Sequence, residues 1–530
     1  MDIFKKLKKM LIEAITNKTA FKIFYVTFVA INLISIINIQ PFTRIFLVIS
    51  AIWGATIILH EIFHKKMNNY KNIITIMIAF IVICTISYLI NFKSGGMNKI
   101  IALGFSSLCV LVLFSDGSKK INNLKNEIYY LNLSFSIITF FANIISLIYF
   151  VSLTNFQIIG RGTAIIRLGF LENRLFGVFS SANVGGSYSF VAISMMIINL
   201  FFLGKKIPKW QKIFYYINIA LCYIYISLSL SRGTYISTCA FIATVLILIK
   251  LPEKISKKMF DKKAILFRIG SITVMLLMFF TGMQVIRLGM SYVPILYKNI
   301  TSISNVPTID SQNNTLSKAI GQNQNASKVP GDNVKPTLTD QINKSQTVSS
   351  DVSNPGQIQF QRIEGDRKGV TNGRVDIWES SLKLMKGKYL FGVGSSRINI
   401  KDPVYAKSSV LNKHDLFVLE KTGGNVQNGY FQIFVECGAI ALLLFLTFIV
   451  AFLVKVLKNL KRIHHNKSIY QLSVMILAFL IYFFVNNIPE SNIMLMGANT
   501  FQAVFWIFAG YLYTLVTHSK TEPIMEGEQI

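Results

Sequence analysis

This chain has little charge for its length. Asp, Glu, Lys and Arg make up 15% of its 530 residues, where a soluble globular protein carries about 25%. Hydrophobic residues reach 52% and aromatic ones 13%, which excludes a water-soluble chain of this length. Cysteine is scarce too. Cys84, Cys109, Cys222, Cys239 and Cys437 all fall in or beside apolar runs, so no disulfide framework supports the polar part of the chain. No signal-peptide cleavage pattern opens the sequence, and residues 2–16 read as a basic amphipathic lead-in. No internal repeat is evident.

What is present is a series of apolar runs, near 21–39, 42–60, 73–92, 100–114, 130–153, 185–203, 213–230, 234–250, 266–285, 430–454, 469–487 and 494–516. A helix of about 20 apolar residues crosses a hydrocarbon core of about 30 Å. The expectation is an all-α, polytopic integral membrane protein with about 12 transmembrane helices. The runs at 100–114 and 234–250 are short, so tilt or displaced ends are expected there.

A formal charge of +30 fits a nucleic-acid binder only if the charge is gathered on one surface. Here it recurs after every second run: Lys5, Lys6, Lys8 and Lys9; Lys65, Lys66 and Lys71; Lys119, Lys120 and Lys125; Lys205, Lys206, Lys209 and Lys212; Lys254, Lys257, Lys258, Lys262 and Lys263; Lys455, Lys458, Lys461 and Arg462. By the positive-inside rule these loops and both termini are cytoplasmic. No nucleic-acid partner is expected. The chain divides into helices 1–9 over 1–286, an extracytoplasmic loop over 287–429 and helices 10–12 over 430–530.

Within that loop, 301–360 is rich in Asn, Gln, Ser, Thr, Lys and Pro and reads as disordered, whereas 370–429 reads as partly helical. Asn372 is placed to cap a helix carrying Ile377, Trp378, Ser381, Leu382 and Met385 at helical spacing, and Gly387 to end it. Its first turn would aim Arg374 at an anion. Other arginines sit on the same side: Arg161, Arg167 and Arg174 after the fifth run, Arg232 in SLSLSRGTYIS, and Arg397. Converging guanidinium groups suit a diphosphate. Taken singly, each also reads as a surface charge or a snorkelling helix end.

The ordered motifs RLFGVFSSANVGG (174–186), SLSRG (229–233), GRVDIW with a downstream FGVG (373–394) and QNGYFQIFVECGAIALL (427–443) resemble the O-antigen polymerase and ligase superfamily of bacterial envelopes. The resemblance implies metal-independent glycosyl transfer, with no cofactor, from an undecaprenyl diphosphate-linked glycan at the bacterial cytoplasmic membrane. It also implies flippase and chain-length-regulating partners. By carry-over, Arg232 and Arg374 stabilise the leaving diphosphate, while Arg174, Asn183, Arg161, Arg397 and Asn428 bind substrate. Many members have a His where this chain has Gln427, and Gln is no general base near neutral pH. Gln427 orients the acceptor hydroxyl, or His414 or Asp376 takes its proton, or the acceptor chemistry differs. His414 equally reads as a solvated loop residue. Glu436, inside the tenth run, reads either as a substrate contact or as a helix-to-helix hydrogen bond. Glu490 reads as a solvated loop residue.

Polymerisation of lipid-linked repeat units is the leading reading. The alternative is a ligase passing the glycan to a wall, lipid or protein acceptor. Two further classes compete. HEIFH (60–64), with Asp116 as a third ligand, matches an intramembrane zinc protease motif, although His and Glu beside Lys65 and Lys66 are also ordinary interfacial residues. A lipid-linked sugar flippase would use many spans and buried arginines, but such transporters often show two related halves.

Overall fold

The computed structural model describes residues 15–37, 40–63, 71–92, 96–114, 120–159, 165–203, 207–249, 262–304, 373–394, 410–491 and 500–518, with positions 6, 13, 358 and 360. Each of the twelve apolar runs contains a helix: α1 Lys18–Asn32, α2 Gln40–Phe63, α3 Lys71–Ile90, α4 Gly96–Phe114, α5 Ile121–Val151, α6 Ala182–Ile197, α7 Lys209–Ser229, α8 Arg232–Leu248, α9 Lys262–Ser291, α13 Gly429–Leu460, α14 Lys467–Asn486 and α15 Thr500–His518. Between α9 and α13 lie α10 Val293–Ser304, α11 Arg374–Leu384 and α12 Lys413–Lys421. Among the described residues, nine helices are long and apolar enough to cross a membrane. Lys18–Asn32, Gly96–Phe114 and Arg232–Leu248 complete the twelve runs.

Burial divides these apolar helices sharply. The apolar stretch of α15 is 94% buried and that of α14 is 78% buried, whereas Leu266–Ile300 is only 6% buried. The C-terminal helix is therefore the axis of the bundle, packed by rings such as Phe505 against Trp506 and Phe508 against Tyr511. Helix α9 is at the periphery. Polar side chains join α5 to its neighbours: Asn132, Ser136, Thr139, Asn143 and Ser146 are all buried at three- and four-residue spacing. Asn132 donates to Asn199 (2.8 Å) and Asn143 to the Cys222 sulfur (3.2 Å), the kind of polar contact that holds helices together in an apolar solvent.

Two features depart from simple helices. After α5 the chain forms a three-stranded antiparallel sheet, β1 Asn155–Ile159, β2 Ile165–Leu171 and β3 Arg174–Gly177, in the order β1-β2-β3. The β2–β3 turn is two residues, Glu172 and Asn173, both in the left-handed region (φ 53° and 55°), as tight hairpins require. It delivers Arg174 inward. Arg167 points out to solvent and pairs with exposed Glu172 (3.1 Å), a contact worth little.

The second departure is a break in α13 at Gly438 (φ 83°, ψ −179°). The carbonyls of Val435 and Glu436 accept from the N–H groups of Val393 and Gly394 (both 2.9 Å), and Ala439 N–H donates to the Tyr389 carbonyl (2.8 Å). FGVG thus occupies the gap in the helix, satisfying backbone groups that cannot be left unpaired in a membrane. A Cβ on Gly438 would lie 2.1 Å from the Leu390 carbonyl oxygen, and one on Gly392 2.6 Å from that of Glu436.

Helix α11 begins after Gly373, which is in the left-handed region (φ 76°) and makes no side-chain cap bond. The expected cap Asn372 lies outside the described residues. Asn412 and Asp415 close a capping box on α12, and buried Asp415 also accepts from Ser380 (2.9 Å) and Lys383 (3.0 Å) of α11. The two helices form one platform.

Candidate functional site

The site begins at Arg174, the first residue of β3, 5% exposed. Its Nε donates to the Ser229 carbonyl at the end of α7 (2.9 Å) and its Nη2 to Asn183 Oδ1 (2.9 Å). Asn183 lies in the first turn of α6, whose N-cap Ser181 accepts from Val184 N–H. Asn183 Nδ2 in turn donates to Glu490 Oε1 (2.8 Å). The same oxygen receives Arg374 Nη2 (3.4 Å), and Arg374 Nε donates to Gln427 Oε1 (3.2 Å). Arg174, Asn183, Glu490, Arg374 and Gln427 are thereby one connected polar chain.

The two remaining motif residues border it. Asn428 caps α13 by accepting from Phe431 N–H (2.9 Å), and Gly429 N–H donates to the carbonyls of Asn487 (2.8 Å) and Glu490 (3.1 Å). Gly233 rests on the same turn, where an added Cβ would meet Pro489 at 3.0 Å, so exposed Arg232 opens α8 beside it. Four helices, α6, α8, α11 and α13, start at this place, and each brings the positive end of its dipole. With Arg174, Arg232 and Arg374 against Glu490, the cluster favours an anion with several oxygens. Gln427 is held in the left-handed region (φ 54°), a conformation that costs a bulky residue energy and is found where a site imposes it.

Other expected residues fall elsewhere. Glu436 is fully buried about 12 Å along α13 from Asn428, at 1.5 Å per residue. It is bonded to Lys99 Nζ (2.7 Å), Gln432 Nε2 (2.9 Å) and Tyr88 OH (3.5 Å). It belongs to a separate ion pair beneath the arginine cluster, joined to it through Gln432, which accepts from Val426 N–H (2.8 Å). His414 is exposed in the first turn of α12, and Asp376 is exposed on α11; the contacts that bring the arginine cluster together do not include them. Arg161 and Arg397 lie outside the described residues, as do His64 and Asp116 of the zinc reading. Glu61 forms an ion pair with Lys18.

Glu490 is the residue that sequence reasoning passed over. Its one signal was an acid in a short turn between two apolar runs, next to Pro489.

A helical bundle of this kind defines an all-α polytopic membrane protein, and its basic cluster where helix N-termini converge suits an anionic group. Residues 217–446 match the family model described as O-antigen ligase, a match consistent with the O-antigen polymerase and ligase superfamily. The matched stretch contains Arg232, Arg374, His414, Gln427, Asn428 and Glu436, while Arg174, Asn183 and Glu490 reach the site from outside it. None of the curated proteins compared matches the chain.

Proposed function

We propose that this enzyme transfers glycan from an undecaprenyl diphosphate-linked donor on the extracytoplasmic face of the bacterial cytoplasmic membrane, joining repeat units into a polysaccharide. The observation that carries this is the polar chain from Arg174 through Asn183, Glu490 and Arg374 to Gln427. An acceptor hydroxyl oxygen attacks the anomeric carbon. The bond from that carbon to the diphosphate oxygen breaks, and its electron pair leaves with the diphosphate. Arg374 and Arg232 stabilise the charge gathered there, and Arg174 holds Asn183 in place.

The hydroxyl proton goes to Glu490, the carboxylate at the centre of the cluster, so Gln427 need only orient the acceptor. Neutralisation of the leaving group by guanidinium side chains supports a reaction that needs no metal. His414 stands as the second proton acceptor, because Gln427 cannot serve as one. The pattern of basic loops supports both termini being cytoplasmic and the cluster facing outward. A flippase would deliver donor to that face, and a chain-length regulator would limit the product.

A ligase is the second reading, favoured by the description of the matching family. Purified protein in lipid nanodiscs, incubated without added metal with undecaprenyl diphosphate-linked repeat units, separates the two. A ladder of products by size is the expected result. Transfer only to a supplied wall, lipid or protein acceptor would establish the ligase, and no transfer to either would overturn both.

A further inference from the structure

We propose that an apolar groove along α9 receives the polyisoprenoid chain of the lipid-linked donor, with Arg287 at its head end. This rests on the reading above that the donor is a polyprenyl diphosphate. The groove has a volume of about 630 Å³ and runs from Val274 to Ile286 on α9, with Tyr223 of α7 as its other wall; ligand clefts span about 300–1,000 Å³. The α9 residues lining it recur at three- and four-residue spacing, one face of a helix about 18 Å long at 1.5 Å per residue. At Thr281 and Gly282 the lining side chains are small. Tyr223 donates to the Phe279 carbonyl (2.6 Å) there and closes the floor, its hydroxyl filling the space beside Gly282, where an added Cβ would meet it at 2.7 Å.

The groove differs from any lipid-facing helix surface in what stands at its end. Arg287 directly follows Ile286, the last lining residue, and is fixed in place. Its Nε donates to the Ser227 carbonyl (2.9 Å), its Nη2 to Tyr235 OH (2.7 Å) and its Nη1 to Gln284 Oε1 (3.4 Å), while its guanidinium lies 5.7 Å from the Tyr235 ring centre. Ser227 and Ser229 belong to the last turn of α7, and the Ser229 carbonyl is the one held by Arg174. Tyr235 is three residues after Arg232 on α8, so the two neighbour each other on the helix surface. A phosphate at Arg287 would lie beside the hydroxyl of Tyr235, whose backbone is about one helical turn along α8 from Arg232. The groove is thereby continuous with the arginine cluster, and a cation fixed at its mouth selects an anionic lipid.

The test uses full-length protein in phosphatidylcholine nanodiscs and a photoreactive undecaprenyl diphosphate that carries no glycan. Cross-links are expected in the α9 peptide spanning 274–286, competed by unlabelled undecaprenyl diphosphate and not by excess phosphatidylglycerol. Val274→Trp, which fills the end of the groove far from Arg287 from an exposed position, is expected to weaken binding of the undecaprenyl form by about tenfold while leaving geranyl diphosphate unaffected. Arg287→Gln should weaken both. Cross-links on other helices, equal competition by phosphatidylglycerol, or equal effects of Val274→Trp on long and short chains would each overturn the proposal. Since the probe bears no sugar, cross-linking without glycan transfer would leave the groove standing and sink the proposed reaction. Transfer that is indifferent to chain length would do the reverse.

Discussion

Asn183 Nδ2 and Arg374 Nη2 reach the same oxygen of Glu490 from residues 307 and 116 positions away, so this carboxylate is placed by the whole fold and not by its own turn. Glu490→Gln keeps the shape and removes the charge. If Glu490 takes the acceptor proton, the change should lower kcat by about 10²–10⁴-fold with little change in KM, in assays of product formation with purified protein; retained kcat would return that role to His414. Arg374→Lys keeps a cation but loses the planar fork, and should cost about 10²–10³ in kcat, checked in the same assay. Glu61→Gln should leave glycan transfer unchanged, because Glu61 is engaged by Lys18. Arg174 and Arg374 were legible as arginines standing out on a side that the positive-inside rule leaves poor in them, whereas Asn183 and Gln427 were legible only through the family resemblance. Glu490 was not, since an acid in a polar turn looks solvated until its partners are known.

At the scale of elements, the break in α13 was hidden because GAIALLLF reads as uninterrupted apolar helix. The left-handed Gly438 and its FGVG partner lie 44 or more positions apart in sequence. Gly438→Ala would place a methyl 2.1 Å from the Leu390 carbonyl oxygen in a backbone region closed to Ala. A loss of stability of at least about 1–3 kcal/mol is expected, read as a lower thermal midpoint, with faster amide exchange at 389–394. The sheet after α5 was equally hidden, its strands being short and set by a two-residue turn. The platform of α11 and α12 offers a pH test. Burial pushes the Asp415 carboxyl up, but hydrogen bonds from Lys383, the Asn412 N–H and Ser380, with the Lys383 charge, outweigh it and hold the group below the usual carboxylate range. A depressed carboxylate stabilises above its unfolded value of about 3.9 and loses that contribution as pH falls through the lower folded value. Amide exchange in α12 should therefore quicken, after correction for the intrinsic rate, as pH drops below about 4, and Asp415→Asn should remove that dependence.

The whole molecule turns on a distinction that hydropathy cannot make. Lipid and protein interior are both apolar, so α15 at the axis and α9 at the rim look alike in sequence although their burial is 94% and 6%. The helical character of the apolar runs was legible because apolarity marks it, although only nine described helices are long and apolar enough to cross a membrane; helix position was not, because it depends on which faces meet. Orientation is a proposal that rests on the basic loops. With the arginine cluster outward, Asp376→Cys and Lys413→Cys, both at exposed positions, should react in intact cells with a membrane-impermeant maleimide. Lys209→Cys and Lys461→Cys should react only after lysis. The native Cys84, Cys222 and Cys437 are buried and should contribute little background. The opposite pattern would put the cluster on the cytoplasmic face, where donor is made and has not yet been flipped. Polymerisation there would need neither a flippase nor the outward-facing Arg232, Arg374 and Glu490, so this single reversal would remove the proposed reaction along with the topology.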